Sequence, residues 1–90
     1  MMEGQLNTWY TIYTRHEPHC EWCQKALELL RVYGKDFYEI DYKEATDMFK
    51  DKGLRTVPQI FLEGHHIGGY LALEEFLRVE QEDKQKKRRS

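Results

Sequence analysis

Along the first half of the chain the hydrophobic and polar positions change period twice, and each change marks an element. Residues 9–14, Trp-Tyr-Thr-Ile-Tyr-Thr, are rich in aromatic and β-branched side chains and predict a strand. Tyr10 and Ile12 alternate with Trp9, Thr11 and Tyr13, and both sets are bulky, so the strand is expected to be covered on both faces at the centre of a sheet. Arg15-His16-Glu17-Pro18-His19 is polar and predicts a loop, with Pro18 disfavouring helix in the residue before it. Beyond the loop, Cys23, Ala26, Leu27 and Leu30 recur at i, i+3, i+4 and i+7, the stripe of a helix. That helix places Cys23 on the buried stripe and Cys20 at an exposed tip, and Gly34 follows the last apolar residue as a left-handed cap.

Phe37-Tyr38-Glu39-Ile40-Asp41 alternates again and predicts a second strand. Strand, helix and strand in so short a stretch imply a right-handed crossover and parallel pairing. Ala45, Met48 and Phe49 mark a short helix ending at Gly53. After Thr56-Val57-Pro58 comes a third strand, Gln59-Ile60-Phe61-Leu62. The turn signal Glu63-Gly64 joins it to a fourth, His65-His66-Ile67, as an antiparallel hairpin. Gly68-Gly69 breaks the chain before a last helix in which Leu73, Phe76 and Leu77 share a face and Glu74 and Glu75 suit the positive amino end. The order is β-α-β-α-β-β-α, with no internal repeat.

Ninety residues, 40% of them hydrophobic, make one small domain with a modest core. No apolar run approaches the ~18 residues that span a bilayer, and Met1-Met2-Glu3-Gly4-Gln5-Leu6 lacks the basic and apolar regions of a signal peptide. A cytoplasmic monomer with no membrane partner is expected. The net charge of −2 hides an asymmetry: residues 84–90 carry five of the fourteen basic side chains and no acid, leaving nine basic against sixteen acidic, or −7, for residues 1–83. The expectation is a single domain over 1–83 followed by a basic, disordered tail over 84–90 to which no function is given. Aromatic side chains are not interleaved with basic ones, which argues against a nucleic-acid stacking surface.

The chemistry concentrates in His19-Cys20-Glu21-Trp22-Cys23, which holds both cysteines of the chain. In a reducing cytosol, a lone Cys-x-x-Cys between a strand and a helix reads as a working redox pair or half a metal site rather than a structural staple. At a helix start, unpaired N–H groups and the positive dipole end favour an anion, so Cys20 ionises easily. Cysteines at i and i+3 share a helical face and can close into a disulfide with little backbone movement. The rival is a zinc site on His16, His19, Cys20 and Cys23, although structural zinc sites draw their ligand pairs from separated segments. His65 and His66 are adjacent on a strand and point to opposite faces, so they do not share an ion, and no metal is expected.

Three motifs, in this order and at these separations, carry a resemblance over about Trp9 to Leu77: Tyr13-Thr14-Arg15 running on to Cys20-Glu21-Trp22-Cys23, then Thr56-Val57-Pro58-Gln59-Ile60-Phe61, then Ile67-Gly68-Gly69-Tyr70. The chain resembles a glutaredoxin of the thioredoxin superfamily, dithiol type. Its longer loop before the first cysteine, with His19 against it, looks most like the short glutaredoxins of tailed bacteriophages. The resemblance implies an α/β thioredoxin-like fold, a four-stranded mixed sheet flanked by three helices, with a cis bond before Pro58. A cis X-Pro turns the backbone so that Val57 can pair with an extended substrate.

The implied activity is thiol-disulfide exchange. Cys20 attacks a disulfide as thiolate, and Cys23, one turn further in, resolves the mixed disulfide. Glutathione is the implied co-substrate, with ribonucleotide reductase or mixed glutathione disulfides as oxidised partners. Arg15 stands where relatives have a basic residue near the glycine carboxylate, and Trp22 replaces the usual tyrosine beside the nucleophile. Thr56, Val57 and Pro58 form the segment whose Val57 backbone meets the cysteinyl unit, while Gly69 and Tyr70 lie where the γ-glutamyl end is received. Two departures stand out: Leu71 and Ala72 follow Tyr70 where many relatives have an Asp, and Glu21 replaces a proline between the cysteines. The first removes a charged contact and the second opposes thiolate formation. An alternative within the family is a [2Fe-2S] cluster bridged between two protomers.

Overall fold

Bulky β-formers on both faces suit residues 10–14 to an inner place in the sheet. The structure, a computed structural model, describes residues 9–89. Strand β1 (Tyr10–Thr14) lies between β2 (Phe37–Asp41) and β3 (Gln59–Leu62), and β4 (His65–Gly68) forms the edge beyond β3. The β1/β2 pair is parallel with Tyr10 opposite Phe37; β1/β3 and β3/β4 are antiparallel, with Tyr13 opposite Gln59. Helices α1 (Glu21–Val32), α2 (Thr46–Lys52) and α3 (Tyr70–Arg89) complete the expected four-stranded mixed sheet with three helices.

The alternation along β1 divides the interior into two layers. Tyr10 and Ile12 join Ala26, Leu27 and Leu30 of α1, Ile60 of β3, and Leu73 and Leu77 of α3 in one buried cluster. The stripe predicted for α1, Cys23 with Ala26, Leu27 and Leu30, is the buried one. On the other face Tyr13 meets Phe49 of α2 and Phe61 of β3 edge-on, with ring centroids 5.8 and 5.7 Å apart. The inner strand is thus covered from both sides. Outside the core, Lys35 and Glu80 form an ion pair at 3.1 Å that ties the α1–β2 connection to α3.

Local chemistry sets the boundaries. Cys20 is the N-cap of α1 and Tyr33 its C-cap; Gly34, next along, and Gly53, the C-cap of α2, both have positive φ. Glu63 and Gly64 both take positive φ, 50° and 88°, as a two-residue hairpin turn matched to strand twist requires. A single turn of 3-10 helix, Tyr42–Ala45, precedes α2 and is not foreshadowed by the sequence pattern; Asp41 caps it by accepting from the Lys43 N–H at 2.9 Å.

Two sequence expectations about α3 need correction. Phe76 does not share the buried face of Leu73 and Leu77: it is 37% exposed and lines a surface groove with Leu62 and Ile67. Leu73 and Leu77, one turn apart, already fill the stripe, and a residue at i+3 falls on its margin. Glu74 and Glu75 do not sit at the amino end of α3, because the helix starts at Tyr70 and its first turn holds no acid. At its far end α3 carries the backbone on through Arg89. The amino-terminal residues 1–8 lie outside the described residues, and so does Ser90.

Candidate active site

Because β1 and β3 run antiparallel with Tyr13 opposite Gln59, the loop leaving β1 and the segment entering β3 emerge at the same end of the sheet. The first delivers Cys20 and the second Thr56-Val57-Pro58. Cys20 and Cys23 are joined as a disulfide across the first turn of α1, with Cα atoms 5.2 Å apart. The Cys23 backbone N–H donates to Cys20 Sγ at 3.1 Å, so the sulfur occupies the place of the capping oxygen at an ordinary helix start. Cys20 Sγ also lies 3.9 Å from the carbonyl oxygen of Val57, and the Val57–Pro58 bond is cis, as is Glu17–Pro18.

Cys20 is not the exposed tip expected from the helical pattern. Only 5% of it is exposed, because the Val57 carbonyl and its own helix close over it. It is reached through a groove of about 600 Å³ that it lines together with Arg15, Glu21, Trp22, Thr56 and Val57 from the predicted segments and Tyr42, Phe49, Lys50, Leu54 and Arg55 from the α2 region. Cys23 is fully buried behind it. A second, shallower groove of about 280 Å³ runs on the other side of Trp22, between Thr56, Val57, Pro58 and Gly69, Tyr70, Leu71 and Ala72. None of the residues lining this second groove carries a carboxylate.

The structure therefore gathers the other seven candidate residues around the Cys20–Cys23 disulfide. Trp22 divides the two grooves; it is 51% exposed, its ring lies 5.4 Å from that of Tyr70, and Lys25 Nζ sits 4.8 Å above it. Arg15 turns back on its own loop, donating from Nε to the Pro18 carbonyl at 2.8 Å and from Nη2 to the His19 carbonyl at 3.2 Å. It braces the approach to Cys20 while lining the groove. His16 meets Glu39 at 3.3 Å, and the buried Thr14 hydroxyl donates to the same carboxylate at 3.0 Å. Among the described residues no group of three or more His, Cys, Asp or Glu side chains is placed to hold an ion, so the zinc arrangement of His16, His19, Cys20 and Cys23 is not formed.

Sequence reasoning missed Lys50 and Arg55. With Arg15 they set three cations against Glu21 in the larger groove, in a chain whose residues 1–83 sum to −7. Arg55 stands next to Thr56, so its adjacency to a recognised motif was the available signal; Lys50 read as one more charge on the outer face of α2. Gln59 was also missed: its buried amide donates to both the carbonyl and the hydroxyl of Thr56.

The glutaredoxin family model matches residues 10–67, from the first strand to the fourth. Glutaredoxin 3 of Escherichia coli (strain K12) is 39% identical over an alignment of 62 residues, the match covering 64% of this chain and 72% of that relative. A glutaredoxin from Brucella melitensis, solved in solution, is 32% identical with a TM-score of 0.67, the match covering 90% of this chain and 91% of that one. NrdH-redoxin from Escherichia coli, a glutaredoxin-like protein, has a TM-score of 0.60 at 26% identity, covering 69% of this chain and 83% of that one. With a thioredoxin-like sheet, a redox-active cysteine pair at the head of α1 and a family match over more than half its length, the chain belongs to the glutaredoxin family and is a thiol-disulfide oxidoreductase.

Proposed function

We propose that the chain reduces glutathione mixed disulfides and protein disulfides in the cytoplasm, with Cys20 as nucleophile, Cys23 as resolving thiol and glutathione as reductant. The observation that carries this reading is the Cys23 N–H pointing at Cys20 Sγ at 3.1 Å, beside the groove and against the Val57 carbonyl. A donor fixed there stabilises the thiolate and costs no reorganisation when the sulfur becomes charged.

In the reduced protein, the Cys20 thiolate attacks one sulfur of the substrate disulfide, forming a mixed disulfide and releasing the other sulfur as a thiolate. Cys23 then loses its proton and attacks Cys20, expelling the second substrate thiol and leaving the Cys20–Cys23 disulfide. Two glutathione thiols return the two electrons and leave as oxidised glutathione. Arg15, with Lys50 and Arg55 nearby, suits a carboxylate of the bound peptide; Trp22 covers it; Thr56, Val57 and Pro58 present backbone to it; Gly69 and Tyr70 border the far end. Ribonucleotide reductase is the candidate protein partner by family analogy.

A second reading concerns the reductant. The smaller groove, ending in Leu71 and Ala72, offers no carboxylate to the γ-glutamyl ammonium. NrdH-redoxin, one of the structural neighbours, is described by its thioredoxin-like activity profile. Recycling by a thioredoxin-reductase-type protein is the alternative this favours. Both are tested by turnover of a glutathione mixed disulfide with glutathione plus its reductase, and separately with thioredoxin reductase, for wild type, Cys20→Ser and Cys23→Ser. The proposal expects glutathione-driven turnover that is lost in Cys20→Ser and kept in Cys23→Ser. Turnover only with thioredoxin reductase selects the second reading, and activity retained in Cys20→Ser overturns the assignment of the nucleophile.

A further inference from the structure

We infer that Gln59 and His66 are positioning residues that hold the substrate-facing backbone at Thr56 and Val57 from behind. The inference rests on the proposed function, in which this segment receives the substrate.

Gln59 follows Pro58 directly, and its side chain is 7% exposed on β3. Its Nε2 lies 3.0 Å from the Thr56 carbonyl oxygen and 3.3 Å from Thr56 Oγ1. A carbonyl only accepts, so the nitrogen end of the amide faces Thr56 and the oxygen end faces the other way. There Gln59 Oε1 meets His66 Nε2 at 2.7 Å. An amide oxygen has no proton to give, so the imidazole carries hydrogen on Nε2 and donates, whether neutral or charged. The ring of His66 is itself held against Phe61, with centroids 4.7 Å apart and planes inclined by 33°.

A directed chain therefore runs from His66 to Gln59 to Thr56 and ends one peptide away from Val57, whose carbonyl lies 3.9 Å from Cys20 Sγ. Neither Gln59 nor His66 lines the two grooves beside the disulfide. Their effect passes through the orientation of the Thr56–Val57 peptide, which governs how well an extended substrate pairs there. The N–H that faces Cys20 Sγ belongs to Cys23 on α1 and lies outside this chain of hydrogen bonds. Loss of the chain should accordingly weaken substrate capture and leave the chemical step alone.

The test uses the full-length reduced protein with a glutathione mixed disulfide as substrate. His66→Phe keeps a ring against Phe61 and removes the donor; His66→Gln keeps a donor; Gln59→Leu removes the chain. Losing one such bond is expected to raise KM about fivefold in His66→Phe, with kcat within about twofold of wild type. His66→Gln should return KM toward wild type, and Gln59→Leu with His66→Phe should be no worse than Gln59→Leu alone, since His66 acts only through Gln59. An unchanged KM, a loss confined to kcat, or effects that add in the double variant overturns the inference. NMR relaxation of the Val57 amide tests it independently of turnover: its order parameter should fall in His66→Phe and recover in His66→Gln, and an unmoved value sinks the inference. Were wild type inactive on the mixed disulfide, the proposed function would fail, while the Val57 amide would still show whether His66 and Gln59 hold the segment.

Discussion

The backbone N–H of Cys23 donates to Cys20 Sγ at 3.1 Å, so the first turn of α1 is capped by the sulfur of the proposed nucleophile. In the reduced protein the same bond, together with the helix dipole, favours thiolate over thiol. Opposing it is Glu21, the first residue of the helix, whose carboxylate stands next in sequence to Cys20.

Following the thiolate absorbance against pH should therefore give Cys20 a pKa below the ordinary ~8.5. Glu21→Pro should lower it further, because proline fits the first helical position and the negative charge is gone. Glu21→Gln should move it the same way. An unchanged or higher pKa in both variants would show that Glu21 does not oppose the thiolate.

Tyr10 supplies a pH signature of the core. Burial, and secondarily the charge of Glu80, raises its phenol from 10.0 to about 12. Its folded value lies above its unfolded one, so the neutral phenol stabilises the fold fully below pH 10, and that contribution is lost as pH climbs from 10 towards 12. The shift corresponds to about 2 to 3 kcal/mol. Thermal melts from pH 8 to 12 (~1-unit steps) should fall more steeply for wild type than for Tyr10→Phe, which has nothing to ionise there; parallel curves would contradict the burial argument.

Leu73 and Phe76 look alike in the sequence and should behave differently. Leu73→Ala, at a fully buried position, is expected to cost about 2 to 5 kcal/mol in urea unfolding. Phe76→Ala, at a position 37% exposed beside a groove, should cost well under half of that. Equal midpoints for the two variants would mean that α3 packs through a different stripe.

Gly68 and Gly69 are adjacent and should also part company. Gly68 has a φ of 130°, and a Cβ there would come within 2.9 Å of the Ala72 Cβ. Gly68→Ala should lose at least about 1 to 3 kcal/mol from backbone strain alone. A Cβ on Gly69 would meet the Pro58 carbonyl at an ordinary 3.6 Å, so Gly69→Ala should stay within about 1 kcal/mol of wild type. Urea titrations of both variants compare them directly.

The elements were legible because their periods are clean. The α1 stripe and the β3 span agree residue for residue with the fold, and the hairpin turn at Glu63-Gly64 follows from its own chemistry. The cysteine pair and the Thr56-Val57-Pro58 segment were legible as motifs. What escaped depends on neighbours distant in sequence. Periodicity marks Cys20 as a helix tip but does not carry the Val57 carbonyl that covers it. It includes Phe76 in a stripe without saying that Leu73 and Leu77 have filled it. A single glutamine in a strand looks the same whether it faces water or, as Gln59 does, turns inward to two partners. Lys50 and Arg55 become part of a site only when α2 folds back beside Cys20.

The pairing of Tyr13 with Gln59 also acts as a ruler for evolution. Shifting β3 along β1 by two residues would preserve every inward and outward side chain, yet would displace Pro58 along the strand by roughly 7 Å relative to the cysteines, at about 3.4 Å per residue. Insertions at the hairpin tip, on the far side of β3, leave that measurement untouched, whereas any change in length that resets the β1–β3 alignment disarms the catalyst without unfolding it. Drift in loop length should therefore collect at the Glu63-Gly64 end of the molecule.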